Sequence, residues 1–474
     1  MADSIEGKRI VILGLARQGT ALARWAVRSG AKVTVSDVRD ADALEGAIAS
    51  LRGLPVRYVL GSHPMDLLDD CDLLCLSGGV PTSLPIVKEA RRRGIPLSND
   101  TLLFLERSPA PVVGITGSSG KTTTTTLVGE MLRASGYTTW VGGNIGLPLI
   151  DHLDEIRSTD KVVLELSSFQ LELYDRSPEV AAVLNITPNH LDRHPSMSHY
   201  EAAKANILKW QRESDFTVLG ADDGVTGGWL RERRVKVAAG EGQPAVDFPI
   251  KSRLYGFGLQ ESEGEGAFGK LDGTLLLRLG GEPEVICHRS DLKLRGEHNV
   301  ANVLAASLIA SLAGASIEGV RKVATQFKGV PHRLEEVRVW KGILWVNDSI
   351  ATTPERAIAA LKSFDEPIVL LSGGRDKHLP WDEYADLVHE KVKHLILFGE
   401  AAELIASNVE EAGREGSALR SIVLCDSLED AVRTAAERAE PGDVVLLSPG
   451  GTSFDAYKDF AERGEHFRKL VGEL

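Results

Sequence analysis

Cysteine is scarce in this chain: 474 residues carry four, Cys71, Cys75, Cys287 and Cys425. Their spacing forms no zinc motif, and so few thiols exclude a disulfide scaffold and fit a reducing compartment. Cys71 and Cys75 stand in the apolar run Cys71-Asp72-Leu73-Leu74-Cys75-Leu76, where thiols are expected to pack in a core. Long apolar runs are lacking too. None approaches the roughly 20 residues that span a bilayer, and Val11-Ile12-Leu13 has the length of a strand rather than of a secretion signal, so a cytosolic protein is expected. Nor is there an excess of positive charge. The formal charge of −13 excludes a general affinity for nucleic acid, which needs cations to displace counterions from phosphates. No repeat of solenoid period is present, and a chain of this length is expected to fold as about three domains.

What the chain does have is glycine at chosen places. Val112-Val113-Gly114-Ile115-Thr116 reads as a strand, Gly117-Ser118-Ser119-Gly120 as a small-residue loop, and Lys121-Thr122 opens a segment with Leu127, Val128, Met131 and Leu132 at helical spacing. Strand, glycine loop and helix N-terminus together make a concavity of inward N–H groups with partial positive charge, a receptor for polyphosphate. In such a loop Lys121 reaches the β- and γ-phosphates and the Thr122 hydroxyl ligates magnesium. The strict motif would have glycine where Ile115 stands; Gly114 and Gly117 flank it, so the loop is a variant.

Upstream, Arg9-Ile10-Val11-Ile12-Leu13 is strand-like, Gly14-Leu15-Ala16-Arg17-Gln18-Gly19 follows, and Leu22, Trp25, Ala26 and Val27 mark a helix. A second strand, Lys32-Val33-Thr34-Val35-Ser36, ends on Asp37, giving a Rossmann-like βαβ opening with Ala16 in place of the middle glycine. By itself this opening suggests NAD, with Asp37 on the ribose. The strand ending at Leu76 runs into Ser77-Gly78-Gly79-Val80-Pro81, and both loops are expected to face one crevice. Ser108-Pro109-Ala110-Pro111 and Pro331-His332-Arg333 punctuate the chain and divide it into residues 1–108, 109–331 and 332–474.

The middle segment continues with Gly142-Gly143-Asn144, with the run Leu164-Glu165-Leu166-Ser167-Ser168-Phe169-Gln170-Leu171-Glu172, and with a strand over 181–186 that delivers Thr187-Pro188-Asn189-His190-Leu191-Asp192-Arg193-His194. Carboxylate and imidazole groups at strand ends suit a hard cation beside phosphates. Lys204 falls in the helical run Tyr200 to Leu208, where a lysine is ordinarily a surface residue. Residues 240–281 turn to short β-prone runs with a hairpin signal at Leu271-Asp272-Gly273-Thr274. Gly296-Glu297-His298-Asn299 opens a long helix that places Asn299 and Asn302 one turn apart. Beyond residue 331, strands at 343–346, 368–371, 394–398 and 444–447 alternate with helical stretches, the pattern of a third α/β unit with a mainly parallel sheet.

Read together, Gly117-Ser118-Ser119-Gly120-Lys121-Thr122-Thr123, Glu165 with Ser167-Ser168, Asn189-His190-Leu191-Asp192, Lys204, Gly296-Glu297-His298-Asn299, His332-Arg333 and Asn347-Asp348-Ser349 stand in the order found in the Mur ligases of bacterial cell-wall synthesis. The resemblance covers nearly the whole chain. It implies a three-domain α/β fold: a Rossmann-like N-terminal domain for a UDP-sugar, a central P-loop ATPase-like domain for ATP, and a C-terminal Rossmann-like domain for an amino acid. The activity it implies is ATP-dependent amide formation, adding D-glutamate to UDP-N-acetylmuramoyl-L-alanine through an acyl phosphate in peptidoglycan precursor synthesis. Site roles come with it. Gly117, Ser118, Ser119, Gly120, Lys121, Thr122, Thr123, Asn299, Arg333 and Asp348 resemble the ATP contacts. Thr122, Glu165, His190 and Lys204 resemble the ligands of two magnesium ions, with Lys204 carbamylated, a change that turns a cation into a carboxylate-like group. Lys121, His190 and Lys204 form the implied catalytic set. Leu15, Ala16, Asp37, Gly79 and Asn144 look like the UDP-sugar site, and Thr352, Lys377, Ser453 and Phe460 like the glutamate site. The implied partners are the three substrates, with no nucleic acid and no membrane span, and the implied state is a monomer.

Two departures stand out. Members of the family that add D-glutamate commonly read Asp-Ser-Lys-Ala-Thr-Asn where this chain has Asp348-Ser349-Ile350-Ala351-Thr352-Thr353, so an aliphatic group replaces a cation and L-glutamate is the alternative substrate. In the first domain Gly78 replaces a usual proline. The diamino-acid-adding branch carries Asp-Asn-Pro-Arg in its last domain, and this chain has no such motif. An NAD-dependent oxidoreductase, the other class that residues 14–19 and Asp37 allow, leaves the phosphate loop without a use.

Overall fold

Aliphatic runs separated by helix-length segments become parallel strands, because only a crossover of that length returns the chain to the same edge of a sheet. The structure, a computed structural model, describes residues 4–188, 194–240, 244–294, 296–377, 379–413 and 416–474. In the first sheet β1 (Arg9–Leu13), β2 (Lys32–Asp37), β3 (Val56–Leu60), β4 (Leu73–Leu76) and β5 (Leu97–Ser98) are all parallel, in the order β3-β2-β1-β4-β5. The order reverses between β1 and β4, and a crevice opens beyond their carboxyl ends. The two loops expected to share it do so: Gly78 N donates to Gln18 Oε1 at 3.1 Å.

The second sheet is built around β6 (Val112–Thr116), which lies between β8 (Lys161–Glu165) and β9 (Val180–Val183). All five β6 residues are buried, as a strand covered on both faces requires, and a Cβ on Gly114 would stand 2.6 Å from Pro178 Cγ. Outward on one side lies β7 (Thr139–Gly143), and on the other β10 (Phe216–Gly220), β13 (Arg253–Gly258), β14 (Gly266–Gly269), β15 (Thr274–Arg278) and β16 (Glu284–His288). Parallel pairing gives way to antiparallel at β14/β15, where the expected hairpin turns on Gly273 at φ +90°. A separate antiparallel pair is formed by β11 (Arg234–Val237) and β12 (Val246–Pro249). The helix Lys121–Ala134 buries Leu127, Val128, Met131 and Leu132 in one core with Val303, Leu304 and Leu308 of the helix Glu297–Leu312. At about 1.5–3 kcal/mol for each such side chain, this core holds the helix behind the phosphate loop in place.

The third sheet is ordered β17 (Glu335–Trp340), β18 (Ile343–Asn347), β22 (Val444–Gly450), β19 (Ile368–Gly373), β20 (Val392–Phe398), β21 (Ser421–Cys425). Its neighbours are parallel except β17 with β18. Contacts divide the chain into two compact units, Met1–Phe327 with the first two sheets and Lys328–Leu474 with the third. No described helix is long and apolar enough to cross a membrane.

One strand differs from its sequence pattern. The run expected to extend over 181–186 leaves the sheet after Val183, and Asn185 turns into the phosphate loop. Its carbonyl accepts from Ser118 N at 3.0 Å and its Oδ1 from Ser119 N at 2.9 Å. The loop supplies backbone donors that a continuing strand would have left unpaired, and the ladder ends there.

Candidate active site

The phosphate loop closes on its helix through Gly120, which caps Lys121–Ala134 in the left-handed region at φ +77°. A Cβ at this position would come within 2.3 Å of Asn302 Oδ1, so conformation and close approach both require glycine. Asn302 in turn accepts from Thr124 Oγ1 at 3.4 Å and donates to Asn299 Oδ1 at 3.1 Å, which places Asn299 at the edge of the loop as its one-turn spacing predicts. Ser118 Oγ bonds Thr187 O at 2.9 Å and Tyr200 OH at 3.0 Å. Lys121 Nζ folds over the loop, donating to Gly117 O at 2.7 Å and Ser118 O at 3.1 Å, while Thr123 sits half-buried in the first helical turn.

Glu165, the last residue of β8, is 2% exposed and divides its carboxylate between two partners. Thr122 Oγ1 donates to Oε2 at 2.8 Å and Asn144 Nδ2 to Oε1 at 2.8 Å. Asn144 also faces the first sheet, where Arg17 donates to its carbonyl at 3.1 Å and Gln18 donates to Gly143 O at 3.4 Å. An unbroken chain of hydrogen bonds therefore runs from the 14–19 loop through Asn144 and Glu165 to the phosphate loop. Beside it lies a cleft of about 380 Å³ lined by Leu15, Ala16, Arg17, Arg24, Leu147, Pro148 and Asp151, among others. Arg24 and Arg28 both pair with Asp151 across this boundary.

Asp37 is 3% exposed and spends its oxygens locally. Leu15 N donates to Oδ2 at 2.7 Å, and Arg39 engages both oxygens through its Nε and NH2. Burial pushes this carboxyl up, but the hydrogen bonds from Arg39 and Leu15 outweigh it and hold it at about 2. Asp37 thus shapes the Leu15–Ala16 turn and presents Arg39, a cation the sequence pattern had not singled out. Gly79 is exposed at the rim of the neighbouring turn.

Lys204 overturns its surface expectation: it is 1% exposed. The helix Met197–Lys209 is apolar nearly all round, with Tyr200, Ala202, Ala203, Ala205, Ile207 and Leu208 buried, and that was the available signal. Nζ donates to Gly117 O at 3.0 Å and Thr116 Oγ1 at 3.3 Å and lies 4.5 Å over the Tyr200 ring. Burial and the neighbouring Lys121 charge push its ammonium well below the ordinary lysine range, with Glu165 pulling the other way. His190, assigned to the metal site, lies outside the described residues.

In the second unit, Asp348 follows β18 and is 4% exposed. It accepts from Ser448 Oγ at 2.9 Å and Leu334 N at 3.1 Å. Burial pushes its carboxyl up to about 7, against those hydrogen bonds and the charges of Arg333 and Arg356. Arg333 itself is exposed. Ser349 Oγ donates to the carbonyl of Phe460, the first residue of the helix Phe460–Glu473. Arg463, wholly buried, ties Ser349 to the carbonyls of Gly451 and Thr452 beside Ser453. Nothing in the spacing of that helix marked Arg463. Thr352 is half-buried and Lys377 exposed. Arg356 NH1 donates to Ile350 O at 3.2 Å, so a guanidinium stands next to the position where the motif lacks its lysine.

With this geometry in hand, comparison with known proteins is direct. Three family descriptions match in chain order: the Mur ligase MurD-like N-terminal domain over residues 8–99, the Mur ligase middle domain over 115–310, and the Mur ligase glutamate ligase domain over 332–451. The UDP-N-acetylmuramoylalanine–D-glutamate ligase of Symbiobacterium thermophilum is 44% identical, covering 98% of both chains. The enzyme of the same name from Acetivibrio thermocellus is 40% identical over 99% of this chain and 97% of its own. Among solved structures, the UDP-N-acetylmuramate–alanine ligase of Thermotoga maritima superposes with a TM-score of 0.54 at 19% identity, covering 98% of this chain and 99% of that one. At that identity the likeness is one of fold.

Proposed function

The chain belongs to the Mur ligase family, and from that premise we propose how its residues divide the work. The protein is an ATP-dependent ligase that adds D-glutamate to UDP-N-acetylmuramoyl-L-alanine in peptidoglycan precursor synthesis, acting in the cytosol. The observation that carries the assignment of roles is the Glu165 carboxylate, held by Thr122 of the phosphate loop on one oxygen and by Asn144 of the sugar-side crevice on the other.

The nucleotide's phosphates take the 117–123 loop, where Lys121 exchanges the Gly117 and Ser118 carbonyls for phosphate oxygens. Thr122 and Glu165 offer oxygen donors next to the phosphates, a set that fits magnesium. When bound by Thr122, Glu165, His190 and carbamylated Lys204, magnesium neutralises charge on the transferred phosphoryl group. Carbamylation is supported by the burial of Lys204. A buried lysine favours its neutral amine, whose lone pair attacks CO₂; the N–C bond forms and one proton leaves.

In the first step the alanyl carboxylate attacks the γ-phosphorus, the bond to ADP breaks, and an acyl phosphate results. Phosphorylation is needed because a free carboxylate is a poor electrophile. The glutamate amine then attacks the carbonyl carbon, the tetrahedral adduct collapses, phosphate leaves and the nitrogen sheds its proton. Leu15, Ala16, Arg39 and Gly79 hold the UDP-sugar; Thr352, Lys377, Ser453 and Phe460 hold glutamate; Asn299, Arg333 and Asp348 hold the nucleotide. Arg356 supplies beside Ile350 the cation that the motif lacks there.

The test is ligation by the purified chain with UDP-N-acetylmuramoyl-L-alanine, ATP and Mg²⁺, supplying D- or L-glutamate in parallel. ADP release that depends on D-glutamate is expected. Turnover with L-glutamate alone would reverse the stereochemical assignment, and none with either would refute the reaction.

A further inference from the structure

Three loops of the third sheet meet at one side chain. They leave the carboxyl ends of β18, β22 and β19, and the side chain is Arg463, one turn along the helix Phe460–Glu473 and wholly buried. Its Nε donates to Ser349 Oγ at 3.0 Å and its NH2 to Ser349 O at 3.0 Å, both after β18. NH2 also reaches Gly451 O at 3.2 Å and NH1 reaches Thr452 O at 3.1 Å, both after β22. Thr452 is laced in turn to the loop after β19, with Arg375 N donating to its carbonyl at 2.9 Å and Thr452 N to Arg375 O at 2.8 Å. We infer that Arg463 is a positioning residue for the amino-acid substrate, fixing relative to one another the four segments that carry Thr352, Lys377, Ser453 and Phe460. This rests on the glutamate site proposed above.

The argument is one of topology and donor geometry. β18, β22 and β19 are neighbours in the sheet, so their loops emerge side by side at the edge where open parallel sheets bind ligands. Beyond the strands the first two loops share the bond from Gly450 N to Ala351 O at 2.9 Å, and Arg463 adds four more between its helix and those loops. Ser349 Oγ closes the circuit by donating to Phe460 O at 2.8 Å, at the start of the same helix. Gly374, in the third loop, is pressed so close that a Cβ there would stand 2.8 Å from Arg463 NH1. A planar guanidinium holds five N–H donors in fixed directions, so one group spans acceptors on two loops; a lysine ammonium, a point charge with three donors, does not reproduce the fork.

Packing alone does not call for a charge at this position. Taking a guanidinium out of water is costly, and a wholly buried helix position is ordinarily filled by an apolar side chain. Burial lowers this guanidinium to about 10, with Asp455 and Tyr457 pulling the other way, so it stays charged at neutral pH. Asp455 acts on it through charge and not through a hydrogen bond; its four bonds go to three carbonyls and one hydroxyl. Each of those acceptors lies in, or next to, a residue assigned to glutamate, and the charge set among them favours an acidic amino acid.

The test separates the glutamate step from the step before it. In the full-length enzyme with UDP-N-acetylmuramoyl-L-alanine, ATP and Mg²⁺ but no glutamate, hydroxylamine traps the acyl phosphate: its nitrogen bonds to the acyl carbon, phosphate leaves and one proton is shed, giving a hydroxamate. Arg463→Lys keeps the charge and loses the fork. It should raise KM for D-glutamate about tenfold or more, while KM for ATP and the rate of hydroxamate formation stay within about twofold of the parent. Ser349→Ala removes one of the four acceptors and should raise the same KM about threefold; it decides the matter if circular dichroism shows Arg463→Lys unfolded. The inference is overturned if KM for D-glutamate stays within about twofold in the folded variants, or if hydroxamate formation and glutamate-dependent turnover fall together, as a purely structural role requires. Ser453→Ala tests the site itself: an unchanged KM for D-glutamate there refutes the site and the inference with it, whereas a raised KM there beside an unchanged one in Arg463→Lys refutes the inference alone.

Discussion

Asn144 donates its side-chain amide to Glu165 across 2.8 Å, and in doing so ties the crevice of the first sheet to the phosphate loop of the second. Removing the amide in Asn144→Ala leaves one oxygen of a buried carboxylate without its donor. A hydrogen bond to a charged group contributes about 1.5–3 kcal/mol, so kcat/KM should fall about ten- to a hundredfold. Asn144→Asp should do worse, since it sets a second negative charge against Glu165. Steady-state ADP release with each substrate varied in turn measures this; an unchanged kcat/KM in both variants would remove Asn144 from the site.

Lys204 yields the second expectation. Its amine is buried against Gly117 O and the Tyr200 ring. Incubation with ¹³C-labelled bicarbonate should give one carbamate carbon signal that Lys204→Arg lacks, and that variant should lose at least a hundredfold in kcat, because a guanidinium in the same volume cannot become an anionic ligand. A bare amine in bicarbonate-replete, active enzyme contradicts the assignment.

Much of this was legible in local pattern. The strand, glycine loop and helix of residues 112–134 and the βαβ unit of residues 9–37 announce themselves because period, glycine placement and helix entry agree within one short stretch. The early exit of β9 was not legible, since Asn185 leaves its sheet to satisfy donors on Ser118 and Ser119 more than sixty residues away. The burial of Lys204 showed only in the apolar make-up of its helix, and its acceptor Gly117, 87 positions upstream, left no local mark. Asp37 shows a third kind of gap. Its place after β2 marked a sugar contact, yet only the fold reveals that Arg39 and Leu15 already occupy its oxygens.

Asp348 carries a pH signature. Burial raises its carboxyl from an ordinary 3.8 to about 7 in the folded chain, so the folded state binds the proton more tightly than the unfolded state. Stability from that proton is fully present below about 4 and lost as pH rises through about 7, where the buried group must ionise. Asp348→Asn removes the ionisation. It should therefore be more stable than the parent at pH 8, by at most a few kcal/mol, and the advantage should shrink to nothing by pH 4. Thermal melts across this range test the sign. Activity should fall steeply in the same variant, the pattern expected where a strained group is kept for function.

Arg356 offers the sharpest reading of the altered motif. Its NH1 bonds Ile350 O at 3.2 Å, and its charge is felt at both Asp348 and Lys377. A guanidinium therefore stands beside the backbone of position 350. If it holds the carboxylates of the incoming amino acid, Arg356→Ala should raise KM for D-glutamate about tenfold or more, the loss of a charge-assisted contact of about 1.5–3 kcal/mol. KM for ATP should move less than about twofold. Arg356→Lys should fall between, because an ammonium keeps the charge and loses the planar fork. The decisive variant is the double change Ile350→Lys with Arg356→Ala, which restores the common motif while removing the substitute. Recovery of glutamate affinity in that background shows the two cations to be exchangeable; a double variant as weak as Arg356→Ala alone confines Arg356 to holding the Ile350 backbone.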